Sequence, residues 1–150
     1  MRQEFTSAGT SINSSKLPAI YRKVPYTDGT VLDYGCGRFF ENYNLPENVK
    51  GFDPYNYPVT SNLERHYDKV FCSNVLNVIK EREIRLGLLE TLKTLGSVVY
   101  ITVYEGDGSG TGKVTKKDCY QLNRKARDYI GEISEIFETV EIKQGVIVAR

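Results

Sequence analysis

The run Thr30-Val31-Leu32-Asp33-Tyr34, cut off by Gly35-Cys36-Gly37, restricts the fold of this chain more than any other feature. A short apolar stretch that stops on glycine reads as a buried strand. Two glycines within three residues let the backbone turn through positive φ and approach a ligand closely. A second short strand, Val49-Lys50-Gly51-Phe52, closes on Asp53-Pro54, because proline pushes the residue before it out of helical geometry. Lys69-Val70-Phe71-Cys72 is a third strand, and Ser97 to Tyr104, rich in β-branched and aromatic residues, is a fourth. Strands alternating with helical segments define an α/β chain with a mainly parallel sheet and helices on its faces. In such sheets ligands sit beyond the carboxyl ends of the strands.

The helical segments follow from periodicity. Leu17, Ile20, Tyr21 and Val24 recur at i, i+3, i+4 and i+7, with Ser14 or Ser15 as the cap and Pro25 as the stop. An irregular stretch runs to Leu45-Pro46, and Tyr55 to His66 is loop-like. Ile84, Leu88, Leu89, Leu92 and Leu95 mark an amphipathic helix that Gly96 is expected to cap. Glu105 to Gly112 holds four glycines and is expected to be a mobile or specially shaped loop. Leu122, Ala126, Tyr129, Ile130, Ile133, Ile136 and Phe137 trace a second long helix. Val140 to Lys143 and Val146 to Ala149, joined through Gln144-Gly145, form a terminal antiparallel hairpin.

Composition narrows the function classes. At 150 residues, with 40% hydrophobic and 26% charged residues, one domain spanning 1–150 is expected to bury a core without disulfides. Twenty Lys and Arg against nineteen Asp and Glu leave a net charge of +1, so no global field draws the chain to nucleic acid or an anionic membrane. The segment 1–13 is polar, lacks a signal-peptide apolar core and is a candidate lid; a cytoplasmic protein is expected. Cys36, Cys72 and Cys119 lack C-x-x-C spacing and His66 is the sole histidine, so no metal site is expected.

Three groups of residues carry candidate chemistry. Asp33, Gly35, Cys36 and Gly37 end the first strand, and Asp53 ends the second. An acid one strand over from a glycine turn is placed to accept hydrogen bonds from the ribose hydroxyls of a nucleoside. Glu105 and Asp107 follow the fourth strand and are candidates to orient a substrate or act as a base. Lys113 to Arg127 carries six basic residues against one acid, a local attraction for an anionic substrate or the face of a solvated helix. Tyr120, Gln121 and Asn123 are expected at that helix's start, where unpaired backbone N–H groups meet ligands.

Val31-Leu32-Asp33-Tyr34-Gly35-Cys36-Gly37 resembles the first motif of the class I S-adenosylmethionine-dependent methyltransferases, and Gly51-Phe52-Asp53-Pro54-Tyr55 their second. Tyr67 to Ile79, including Ser73-Asn74-Val75-Leu76-Asn77, is similar to the fourth. The D-Y-G-C-G, D-P-Y and N-V-L-N-V-I strings, with Thr115 to Gln121, look like small bacterial and phage members associated with DNA phosphorothioation. The resemblance covers Thr10 to the end. It implies a Rossmann-like methyltransferase sheet and S-adenosylmethionine as cofactor. Gly35 and Gly37 would pack on the methionine part, Asp53 bind ribose, Pro54 and Tyr55 border adenine, and Ser73, Asn74 and Val75 close the pocket. Asn74, Asn77, Glu105, Asp107 and Gln121 would flank a small-molecule or partner-supplied acceptor.

The chain departs from that pattern in two places. Phe39 stands where the third glycine of G-x-G-x-G falls. Only thirteen residues separate Asp53 from Tyr67, too few for an additional strand and helix, so a trimmed sheet with a short edge is expected. A dehydrogenase would place glycine at Phe40, and no phosphate-binding G-x-x-x-x-G-K-[ST] occurs. Ser73-Asn74-Val75-Leu76 lacks the proline and tyrosine of amino-specific DNA methyltransferases, and no cysteine follows a proline. A non-catalytic binding module and an enzyme that cleaves the cofactor share every binding feature and stay open.

Overall fold

The computed structural model describes residues 1–9 and 16–150. Four strands, β1 (Val31–Tyr34), β2 (Val49–Phe52), β3 (Tyr67–Ser73) and β4 (Gly96–Thr102), run parallel. With β7 (Val140–Lys143) and β8 (Val146–Ala149) they form one six-stranded sheet in the order β2-β1-β3-β4-β8-β7. The terminal hairpin is antiparallel, and β8 adds to β4 as the expected antiparallel extension. Gln144 and Gly145 make its tight turn with φ of 51° and 77°, the left-handed pair that matches strand twist. The first edge is the four-residue β2, as the short spacing after Asp53 requires.

Each sheet face has its own core. Leu32, Phe52, Val70, Cys72, Val99 and Ile101 meet Leu89, Leu92 and Leu95 of α2 (Arg82–Leu95) on one side. Val31, Val49, Phe71 and Tyr100 meet Ile20, Tyr21 and Val24 on the other. The first helix, α1, is only Ile20–Lys23, and the serines expected to cap it lie outside the described residues. Among the described residues no helix is long and apolar enough to cross a membrane.

Three expectations are overturned. Gly96 is extended, with φ −154° and ψ 163°, and opens β4 directly, so α2 passes into the strand without a left-handed cap. Gly112–Lys116 (β5) and Cys119–Leu122 (β6) form a separate two-stranded hairpin where a loop and the start of a helix are expected. The long helix through Phe137 is replaced by a 3₁₀ turn, Ala126–Tyr129, and the five-residue α3 (Ile130–Ser134). Leu122 and Gln121 belong to the hairpin, which buries both. Tyr120, Gln121 and Asn123 therefore do not present a helix start.

Candidate functional site

A cavity of about 360 Å³ opens where the carboxyl ends of β1, β2 and β3 meet. Its floor is the turn after β1. The Gly35 and Cys36 N–H groups both donate to the Phe52 carbonyl, at 2.6 and 3.1 Å, pinning that turn to the end of β2. Gly35 has φ +80°, and a Cβ there would meet Val75 Cγ2 at 2.5 Å, so glycine lets the turn pack on the loop after β3. Gly37 has φ +77° with nothing within 4 Å of an added Cβ, which leaves a cradle open on the cavity side.

Asp53 locks this floor. Its Oδ1 accepts from the N–H groups of Tyr55 and Asn56 at 2.9 and 3.0 Å, and its Oδ2 accepts from the Gly37 N–H at 3.1 Å. A carboxylate has about four lone-pair sites, so one on Oδ2 remains for a ligand hydroxyl. Pro54, Tyr55 and Asn56 continue the wall beside it. From β3, Ser73, Asn74 and Val75 supply the opposite wall. Asn74 takes φ +58° while its N–H donates to the Thr102 carbonyl at 2.9 Å, and Ser73 Oγ accepts from Thr102 Oγ1 at 2.9 Å.

Two further walls come from residues that motif reading misses. Ile84, Gly87, Leu88 and Thr91 form a stripe of α2 at i, i+3, i+4 and i+7 that lines the cavity, beside the fully buried stripe of Arg85, Leu89 and Leu92. Sequence periodicity merges these stripes into one face; the sign of two is Gly87, which costs a helix interior about 1 kcal/mol against alanine and here leaves open space. The roof is the start of the chain, with Gln3, Thr6, Ser7 and Ala8 in the lining. Asn56 Nδ2 donates to the Ala8 carbonyl and Ser7 Oγ to the Val78 carbonyl, both at 3.4 Å, so this strap spans the cavity from the β2 side to the turn after β3. The Asp118 turn of the β5–β6 hairpin holds it: the Thr6 N–H donates to Asp118 Oδ1 at 3.0 Å, Thr6 Oγ1 donates to Oδ2, and the Ser7 N–H donates to the Asp118 carbonyl at 2.8 Å. The two bonds from Thr6, its hydroxyl first and then its N–H, keep the Asp118 carboxyl below the ordinary carboxylate range. Phe5 stacks on Tyr120 at 5.5 Å. The rest of the segment expected to be a lid, 10–13, lies outside the described residues.

The structure thus brings Gly35, Gly37, Asp53, Pro54, Tyr55, Ser73, Asn74 and Val75 to one cavity. It places Asp33 and Cys36 beneath it. Tyr21 Oη donates to Asp33 Oδ2 at 2.5 Å, and burial raises the Asp33 carboxyl to about 7, against the pull of that hydrogen bond. Burial likewise pushes the Cys36 and Cys72 thiols up, so both pack as small neutral side chains. Glu105, Asp107 and Gln121 are outside the lining. Glu105 Oε2 accepts from the Ala126 N–H at 2.6 Å, and exposed Asp107 accepts from the Ser109 N–H at 2.9 Å. Buried Gln121 accepts from Asn77 Nδ2 at 3.0 Å and donates to the Tyr104 and Leu122 carbonyls at 2.9 and 3.0 Å.

The chain matches no protein-family model, and no curated protein matches it. Solved structures do match. A Burkholderia thailandensis 1,6-didemethyltoxoflavin-N1-methyltransferase, with 1,6-didemethyltoxoflavin and S-adenosylhomocysteine bound, superposes with a TM-score of 0.60 at 16% identity over 98% of this chain and 79% of that one. The glycopeptide N-methyltransferase MtfA, complexed with S-adenosylhomocysteine, gives 0.58 at 9% identity over 92% of this chain and 88% of that one. The complex of DhpI with S-adenosylmethionine gives 0.55 at 12% identity over 95% and 91%. At such identities the likeness is one of fold: this chain shares the Rossmann-like fold of these proteins.

Proposed function

We propose that the chain is an S-adenosylmethionine-dependent methyltransferase acting on a small or partner-supplied acceptor. The observation that carries this reading is the shared lining: the open Gly37 cradle, Asp53 with one lone-pair site left, and the Ser73 to Val75 turn all face one cavity. When bound, the cofactor supplies a methyl group already activated on a sulfonium, so the protein's main task is to hold two reactants in line. In this reading Gly35 and Gly37 seat the methionine end, and Asp53 Oδ2 accepts from one ribose hydroxyl. Tyr55, which is 52% exposed, covers the base. Asn74 stands nearest the reacting centre. Glu105, Asp107 and Gln121 hold the loop after β4 rather than touch reactants. The motif likeness to phosphorothioation-associated proteins belongs to the same chemistry.

Calorimetric titration of the full chain with S-adenosylmethionine and S-adenosylhomocysteine, with NADH as control, tests the reading. Saturable binding of the first two is expected, weakened at least about tenfold by Asp53→Ala, which removes a charged hydrogen-bond acceptor. Binding of NADH alone, or wild-type affinity in the variant, would sink it. Release of the methyl group or cleavage products without an acceptor would shift the assignment to cofactor cleavage.

A further inference from the structure

We infer that the β5–β6 hairpin, together with Tyr104, is a docking surface for single-stranded nucleic acid. Positive charge is concentrated there: Lys113 to Arg127 carries six basic residues against one acid in a chain of net charge +1, so the rest of the chain is net negative. A polyanion is therefore drawn to this segment rather than to the remainder of the surface. In place of the expected helix the segment opens with an edge strand, β5, whose five residues are all exposed. Arg124 is committed to Glu132, while Lys113, Lys116, Lys117, Lys125 and Arg127 are exposed. Three of the nearby acids hold protein N–H groups: Asp107, which feels the Lys113 charge, accepts from Ser109, Glu105 from Ala126 and Asp118 from Thr6. Asp128 is exposed beyond Arg127.

The register of the hairpin lines these groups up. Lys113 lies opposite Gln121, so the two side chains leave the ribbon on one face. On that face Gln121 Nε2 donates to the Tyr104 carbonyl at 2.9 Å, which sets Tyr104, 62% exposed, beside the lysine strand. Val114 lies opposite Tyr120 but Lys116 lies opposite Cys119, so Thr115 is an extra residue. In a regular strand Lys113 and Lys116, three apart, point to opposite faces. The bulge at Thr115 returns Lys116 to the face of Lys113, the re-aiming that bulges perform. The strap takes the other face, where Phe5 stacks on Tyr120. A row of cations with an open aromatic ring at its end fits a single strand, whose phosphates meet the cations while a base stacks on the ring. An acidic peptide has no flat group for the ring, and a duplex keeps its bases stacked on one another. Tyr104 follows β4, so the surface lies at the same end of the sheet as the cavity. In the methyltransferase reading such a strand is the partner that brings an acceptor; the docking itself rests on the hairpin alone.

The test is fluorescence anisotropy of a labelled oligothymidylate of about 15 nucleotides with the full chain, at about 50 and 200 mM salt. Binding tighter than about 100 μM is expected at the lower salt, and weaker binding to a duplex of the same length and to polyglutamate. Lys113→Glu combined with Lys116→Glu should weaken it at least about tenfold, and Tyr104→Ala about fivefold or more. All three side chains are exposed, so circular dichroism should show both variants folded as the wild type. With alanine at the two lysines, the slope of log affinity against log salt should shrink by about 1 per lysine. Absence of binding overturns the inference and leaves the lysines as guards of an edge strand. Binding that these variants leave unchanged overturns it as well, and so does equal affinity for the duplex or for polyglutamate. The assay contains no S-adenosylmethionine or S-adenosylhomocysteine, so its failure and that of the methyltransferase reading are seen separately.

Discussion

Asn74 and Asn77 stand three residues apart in the turn after β3, yet they belong to opposite kinds of region. Asn74 is exposed on the cavity wall, where its amide faces ligand space. Asn77 is 2% exposed, donates to Gln121 and accepts from the Tyr104 N–H, so its partners lie within the protein. Behind it Arg85 donates to both carboxylate oxygens of Glu132, at 2.9 and 2.6 Å, and to the Ile79 and Lys80 carbonyls. Arg124 joins the same carboxylate at 2.9 Å. The cavity rim thus keeps polar atoms available by leaving them at the surface of an apolar slot. In the block behind it, Arg85 bonds to Glu132 and Asn77 to Gln121, which fixes that slot in place. A polar residue near a strand end is a ligand contact only if its hydrogen-bond capacity is left over.

Substitutions can break this contrast. The largest effect is expected for Arg85→Leu, which leaves Glu132 buried with only Arg124 and the more distant, half-exposed Arg82 beside it: a loss of about 3–5 kcal/mol in urea unfolding, much of it recovered by adding Glu132→Leu. Gln121→Leu is expected to cost about 1–3 kcal/mol by stranding the Asn77 amide and the Tyr104 carbonyl, with S-adenosylhomocysteine affinity unchanged by calorimetry. A drop in affinity without a loss of stability would move Gln121 into the reactive half.

Asp33 gives a smaller, pH-dependent signal. Burial raises its folded value to about 7 from an ordinary 3.8, so the folded protein keeps a proton that the unfolded chain releases across that window. The stability it contributes is complete below about pH 4 and is lost as pH rises through about 7. Melting temperature should therefore fall between about pH 5 and pH 8, by the equivalent of at least about 1.4 kcal/mol, and Asp33→Asn should flatten the curve. The smallest change is expected for Asp118→Ala. The unfolding midpoint should hold while stopped-flow dissociation of S-adenosylhomocysteine quickens, because the strap loses its carboxylate anchor.

What was legible in the sequence was local. Val49–Phe52, the two terminal strands and the Gln144-Gly145 turn lie where turn chemistry and β-branched runs place them. The Asp53 side chain reaches the glycine turn because adjacent parallel strands bring their ends together. The β5–β6 hairpin was illegible for a physical reason: all five residues of β5 are exposed, so no apolar alternation betrays a strand. Its neighbour Leu122 happens to fall in phase with Ala126 and Tyr129, which imitates a helix. The roof was illegible because a polar segment has no period, and its partners lie 48 to 113 residues away.

Those separations set the order of events in the chain's life. Thr6 and Ser7, made before the sheet, find their anchor only when Asp118 has been made and the hairpin around it has closed. Contacts of such span form late, so a nascent or refolding molecule holds its sheet, its glycine turn and Asp53 before it holds a roof. A roofed cavity is then the last feature the molecule acquires, and the first it gives up when the strap loosens.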